Sequence, residues 1–187
     1  MMDGGPGASA LAAGDRARVR DEVKALLRVV GEAEHALVER LAEEAAATAE
    51  AFTGLVLVAR EVRESVAATG AWVRLAACPV RAVTGVVGLD AGGAEVALAA
   101  EAYAVDIDAD GDGWVRVSAP GVARARVTVS AGVAADWDGL PPPVRMAVVR
   151  LAAHGFAVPP GGAEPPAAVA ALLRPWRRLR VHPGRAA

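Results

Sequence analysis

The segment Asp106-Ile107-Asp108-Ala109-Asp110-Gly111-Asp112 sets four carboxylates at alternate positions around a glycine, the D-x-D-x-D-G opening of a calcium loop. Such an oxygen-rich set suits a hard divalent cation. An EF-hand loop closes on a bidentate glutamate, yet the closing position holds Val117 when counted from Asp106 and Ala119 when counted from Asp108. The flanks alternate like strands, and Asp-Gly steps are what a tight hairpin uses where a positive φ is required. A hairpin turn is the favoured reading. Asp106, Asp108, Asp110 and Asp112 stay as the metal-ligand candidates, and no cofactor is expected.

Nucleophilic chemistry has little to work with. His35, His154 and His182 fall on the exposed side of a helix, at a helix end and in the tail, outside any recognisable motif. Cys78 beside Pro79 reads as a small apolar strand residue. No serine stands in a nucleophile elbow, and neither a G-x-x-x-x-G-K-[ST] nor a G-x-G-x-x-G phosphate loop occurs. Glu39, Glu43 and Glu44 read as a solvated helix face rather than an acid-base pair. No catalytic or cofactor-binding residue is assigned, and an enzyme is not expected.

One cluster remains, in which Arg174, Arg177, Arg178, Arg180 and Arg185 surround Trp176. Charge and stacking would serve nucleic acid, and a solvated or intrachain-packed tail is the plain alternative. Arginine and tryptophan are also enriched in protein-protein hot spots, and a short segment tethered by a flexible linker suits docking onto a neighbour. The interface reading is favoured, on Leu172, Leu173, Arg174, Trp176, Arg177, Arg178 and Arg180, with the tail adding little to the core.

These groups must be held by a chain of 187 residues, 54% of them hydrophobic, which suffices for one domain with a core. The formal charge of -2, from 20 basic and 22 acidic side chains, supplies none of the positive field on which dedicated DNA binding draws. The single cysteine excludes an internal disulfide and a thiolate metal cluster, and fits a reducing compartment. No apolar run approaches the roughly 20 residues of a membrane helix, and Met1 to Ala13 lacks the build of a signal peptide. A soluble, intracellular protein is expected. Alanine and valine dominate the apolar set, and alanine buries little area, so at roughly 25 cal/mol per Å² the core stands to gain from partners.

Residues 1–14, with Gly4, Gly5, Pro6, Gly7 and Gly14, lack apolar periodicity and read as a flexible leader. Val19, Val23, Leu26, Leu27 and Val30 then keep helical spacing up to a break at Gly31-Glu32. Leu37, Val38, Leu41, Ala45, Thr48 and Phe52 predict a second, amphipathic helix that Gly54 stops, with Glu39, Arg40, Glu43, Glu44 and Glu50 on its charged side. Leu55 to Ala67 fits either period, and its valines favour a strand. Extended runs follow over 72–75, 79–89, 95–99, 103–107, 114–118 and 123–130, with turn signals at 90–93 and 110–113, and predict a small antiparallel meander. Leu140 and three prolines lead into a last core helix with Val144, Ala147, Val148, Leu151 and Ala152 on one stripe up to His154. Residues 159–166 read as a Pro/Gly linker, and Ala167 to Leu173 as a short helix ended or kinked by Pro175. The class is α+β: a helical bundle core of two early helices and one late one, over about 15–53 and 141–154, with a β insertion over about 55–131. That unit over 15–158 is followed by a linker and docking segment over 159–187.

Several short strings stand in a fixed order. They begin with Val23-Lys24-Ala25-Leu26-Leu27-Arg28-Val29, the helix from His35 closing in Ala51-Phe52-Thr53-Gly54, and Val73-Arg74-Leu75. Cys78-Pro79-Val80 then leads into Val83-Thr84-Gly85-Val86, before Tyr103-Ala104-Val105-Asp106 and Arg126-Val127-Thr128-Val129-Ser130-Ala131-Gly132. Leu140-Pro141 opens the helix to His154, and Leu172-Leu173-Arg174-Pro175-Trp176-Arg177-Arg178 closes the series. Collinear over roughly residues 20–181, they resemble the bacteriophage head-tail connector (adaptor) family, which includes the adaptor of gene transfer agents. Leu55 departs from it, standing where a basic residue is expected, and the last core helix is poorer in aromatics.

The resemblance implies a structural subunit of the virion or particle neck, assembled in the host cytoplasm. It would form a ring, typically a dodecamer, between the portal protein and a tail-proximal connector or stopper protein, with DNA passing through the lumen during ejection. The alternative from another class is a small soluble calcium- or nucleic-acid-binding module.

Overall fold

The computed structural model describes residues 2–8, 11–158 and 166–178. Helix α1 (Ala13–Leu27) buries Val19 and Val23 and stops where Arg28 enters the left-handed region, φ 56°, so the helix ends three residues before Val30. Helix α2 (His35–Thr53) ends as expected at Gly54, whose φ of 73° lets its N–H reach the Glu50 carbonyl at 2.7 Å. Its buried face differs from the expected stripe. Ala42, Ala46 and Ala49 are fully buried while Leu37 and Thr48 face solvent, because alanines let neighbouring helices approach closely. Helix α3 (Pro142–Ala157) packs on both α1 and α2, and α4 (Ala167–Leu173) packs on α3. Between them Trp137 is fully buried, its indole N–H donating to Glu22 Oε1 at 2.9 Å and its backbone N–H to Asp15 Oδ1 at 2.9 Å.

The strands are β1 (Met2–Asp3), β2 (Arg60–Ala67), β3 (Trp72–Arg74), β4 (Val80–Leu89), β5 (Glu95–Val96), β6 (Tyr103–Ile107), β7 (Gly113–Val117) and β8 (Arg124–Ala131). The ambiguous stretch after Gly54 thus becomes a strand only from Arg60. All pairings between these strands are antiparallel, giving the α+β class, but they do not form a meander. The strands make two sheets, ordered β1-β2-β8-β4-β5 and β3-β7-β6. β8 inserts between β2 and β4, placing Val129 opposite Val62 on one side and Val83 on the other. Its inward residues Ala125, Val127, Val129 and Ala131 are fully buried, as befits a strand paired on both sides. A second apolar core forms there with Val56, Val62, Leu75, Val115 and Val117.

Glu50 joins the two cores. Expected on the solvated side of α2, it is 1% exposed. Its Oε1 accepts the Leu57 N–H at 2.9 Å and Arg60 Nη1 at 2.7 Å, and its Oε2 accepts Arg60 Nη2 at 2.7 Å and the Gly7 N–H at 3.0 Å. Arg60 in turn donates to the Gly4 and Gly5 carbonyls at 2.7 and 2.8 Å. Within the segment 1–14 expected as a flexible leader, the described residues make specific contacts. β1 adds an edge to β2, residues 4–7 are bound through their backbone, Leu11 is buried in the helical core, and α1 starts at Ala13. The glycines carried no apolar signal because the clamp reads main-chain atoms.

Candidate partner interface

The C-terminal segment starts from a helix too short to stand alone. α4 places Val169 and Leu173 one turn apart, and both are buried in the helical core, with Leu172 and Trp176 half-buried against it. A 3-10 turn at Arg174–Trp176 follows. The Arg178 N–H then donates to the Thr53 carbonyl at 2.8 Å, and the Arg177 guanidinium lies 5.5 Å from the centre of the Phe52 ring. The expectation that this tail adds little to the core is corrected, because the Val169–Leu173 spacing makes one apolar face and that face is met by α3. Leu173 points inward. Arg174 and Arg177 are the members of the predicted set that stay exposed. Arg180, together with His182, Arg185 and the linker at 159–165, lies outside the described residues.

Arg178 also reaches the Asp-rich segment, which is the turn between β6 and β7. Asp108 Oδ1 accepts the N–H groups of Asp110 and Asp112 at 3.0 and 2.9 Å, and its Oδ2 accepts the Trp114 indole N–H at 3.1 Å. The indole bond, with the Asp112 backbone N–H next in weight, holds the Asp108 carboxyl below its ordinary range. Asp112 is buried between two arginines, accepting from Arg74 Nη2 and Arg178 Nη1 at 2.5 Å each. This contact keeps Arg74 more firmly protonated. Arg178 further donates to the Asp110 carbonyl. Gly111 is required here, with φ of 77° and a Cβ position that would fall 2.8 Å from Pro79 Cβ. The oxygens of Asp108 and Asp112 are thus spent on donors of the protein itself. Asp106 and Asp110 point to solvent. Among the described residues, no three His, Cys, Asp or Glu side chains converge as a metal site would need.

His35 Nε2 lies 2.6 Å from Lys24 Nζ, and His154 sits within α3. Cys78 is buried just ahead of β4, joined to Pro79 by a cis peptide bond. Sequence reading missed an aromatic-arginine face on the three-stranded sheet. β3 and β7 each read Trp-Val-Arg, and their antiparallel register sets Trp72 opposite Arg116, Val73 opposite Val115 and Arg74 opposite Trp114. Each tryptophan therefore lies beside an arginine on the outer face. The Arg116 guanidinium stands 5.4 Å from the Trp72 ring centre, and Trp72 is 45% exposed. The repeated tripeptide was the available signal.

No protein-family model matches the chain, and no curated protein does. Solved structures match it over 100% of both chains. One, the neck of an empty GTA particle computed with C6 symmetry, has a TM-score of 0.77 at 26% identity. A second, from the virion of a native gene transfer agent (GTA) particle, has a TM-score of 0.75 at 27% identity. A third, the neck of a native GTA particle computed with C12 symmetry, has a TM-score of 0.73 at 27% identity. These are structural components of a particle. Over its full length this chain is similar to a neck protein of gene transfer agent particles, and its resemblance to the head-tail connector (adaptor) family holds in three dimensions.

Proposed function

We propose that the chain is a head-tail connector (adaptor) subunit that closes into a ring of twelve beneath the portal, joining the head to the tail and letting DNA pass through its lumen. The observation that carries this is the full-length likeness to neck chains in particles computed with C6 and C12 symmetry. In this reading the helices are the bundle core and the strands its insertion. Arg174, Trp176 and Arg177, with Arg180 beyond the described residues, dock on the portal protein, and the opposite face meets a tail-proximal connector or stopper. The alanine-rich core supports the ring, since lateral contact adds the apolar burial that alanine supplies sparingly. Among the described residues no helix is long and apolar enough to cross a membrane.

The test is a deletion of the gene in a host that makes the particle. Filled heads without tails are expected, restored by the intact chain, with twelve copies per particle by quantitative mass spectrometry. Normal tailed particles from the deletion, or a copy number other than twelve, would refute the reading.

A further inference from the structure

An apolar groove of about 200 Å³ runs between α2, α3 and α4. The buried Val169 and Leu173 line it, with the half-buried Phe52, Leu151 and Ala170 and the exposed Pro166. Thr48 is the polar side chain in this lining, and its hydroxyl donates to the Glu44 carbonyl at 2.8 Å. The lining therefore asks for an apolar guest. An apolar cavity of about 150 Å³ is enough for a benzene ring, so the groove has room for one large aliphatic or aromatic side chain.

Two arginines stand at one end of the groove. Pro166, Ala170 and Arg174 are spaced four residues apart along α4 and its continuing turn, so Arg174 extends the face that lines the groove. The Arg177 N–H donates to the Arg174 carbonyl at 3.2 Å, and its guanidinium lies 5.5 Å from the centre of the Phe52 ring. Both arginines are exposed, and neither has an acidic partner among the described residues. Glu44, one turn before Thr48, is paired with Arg40 at 3.8 Å, so those two charges cancel. Arg178 is spent on Asp112. The rim is left with the positive charges of Arg174 and Arg177 uncompensated.

An apolar pocket beside exposed arginines has the build of a protein-protein anchor site, where a buried side chain fills the pocket and charges meet at its edge. Duplex DNA would offer phosphates to the arginines and nothing apolar to the groove. We propose that the groove takes one large apolar side chain from an acidic segment of the portal protein, Arg174 and Arg177 meeting the carboxylates that flank it. The site rests on the portal docking proposed above and supplies its anchor.

The full-length chain is titrated onto the isolated portal assembly of the same particle, held on an interferometry sensor, at low and at high salt. Ala170→Phe fills the groove from α4 and Thr48→Trp fills it from α2, both at positions that solvent already reaches. Each should weaken portal binding at least about ten-fold while circular dichroism and Tm stay those of the parent. Arg174→Glu with Arg177→Glu should weaken it as much and remove its salt dependence. Folded filling variants that bind the portal like the parent overturn the groove and leave portal docking standing. Undiminished binding of the charge-reversed chain, whose substitutions lie on the surface, overturns it independently. Filling variants that keep the parent's affinity for the portal but no longer gather into a ring on it assign the groove to a second copy and overturn the portal as its occupant. A parent chain that does not bind the portal overturns the docking reading, and the groove's role with it.

Discussion

Replacing Glu50 by alanine tests the clamp that ties the N-terminal segment to both cores. The carboxylate accepts two bonds from Arg60, one from Leu57 and one from Gly7, while Arg60 has a side chain only 14% exposed. Removing it leaves a guanidinium buried without its counter-charge, and breaking one side of a buried pair costs about 3–5 kcal/mol. Against a total stability of about 5–15 kcal/mol this is a large share. For a chain of this size each kcal/mol moves Tm by about 2–4 °C, so a fall of about 6–20 °C is expected. Urea unfolding followed by circular dichroism measures the loss, and hydrogen exchange at Gly7 and Leu57 localises it. Glu50→Gln keeps the volume and an acceptor and should fall between parent and alanine variant. A loss below about 1 kcal/mol, or unchanged protection of residues 2–8, would show that the clamp is not what holds the N-terminal segment.

Leu173→Ala should cost the isolated monomer about 2–5 kcal/mol in urea titration, because the side chain is 3% exposed; a neutral result would return this residue to a partner surface. Gly132→Ala should lower the yield of folded protein and destabilise by more than the roughly 1–3 kcal/mol of ordinary overpacking, since the added Cβ would sit 2.4 Å from the Ala59 Cα, and backbone cannot swing aside. Asp108 has its carboxyl depressed in the fold, so its contribution is present above about pH 4 and disappears as pH falls through the folded value. The stability gap between parent and Asp108→Asn should therefore shrink from pH 5 toward pH 2 in denaturant titrations, and a gap that widens would reverse the assignment.

Local physics made much of this chain legible. The α+β class, the Thr53-Gly54 stop, the strands near 80–89, 103–107 and 124–131, and the Asp110-Gly111 hairpin all follow from periodicity and turn chemistry over a few residues. So did the collinear strings that resemble the connector family. What only the tertiary structure decided depends on partners distant in sequence. Alternation shows which side of β8 faces inward, yet the same alternation fits a meander edge or the centre of a sheet, and the choice lies in Val62, Val83 and Val129 meeting across the fold. The Asp112 bridge likewise needs Arg74 and Arg178, and so remained invisible within the turn. Glu50 looks like any solvated helix glutamate until Arg60 and two backbone N–H groups surround it, and only those donors make burying its charge tolerable.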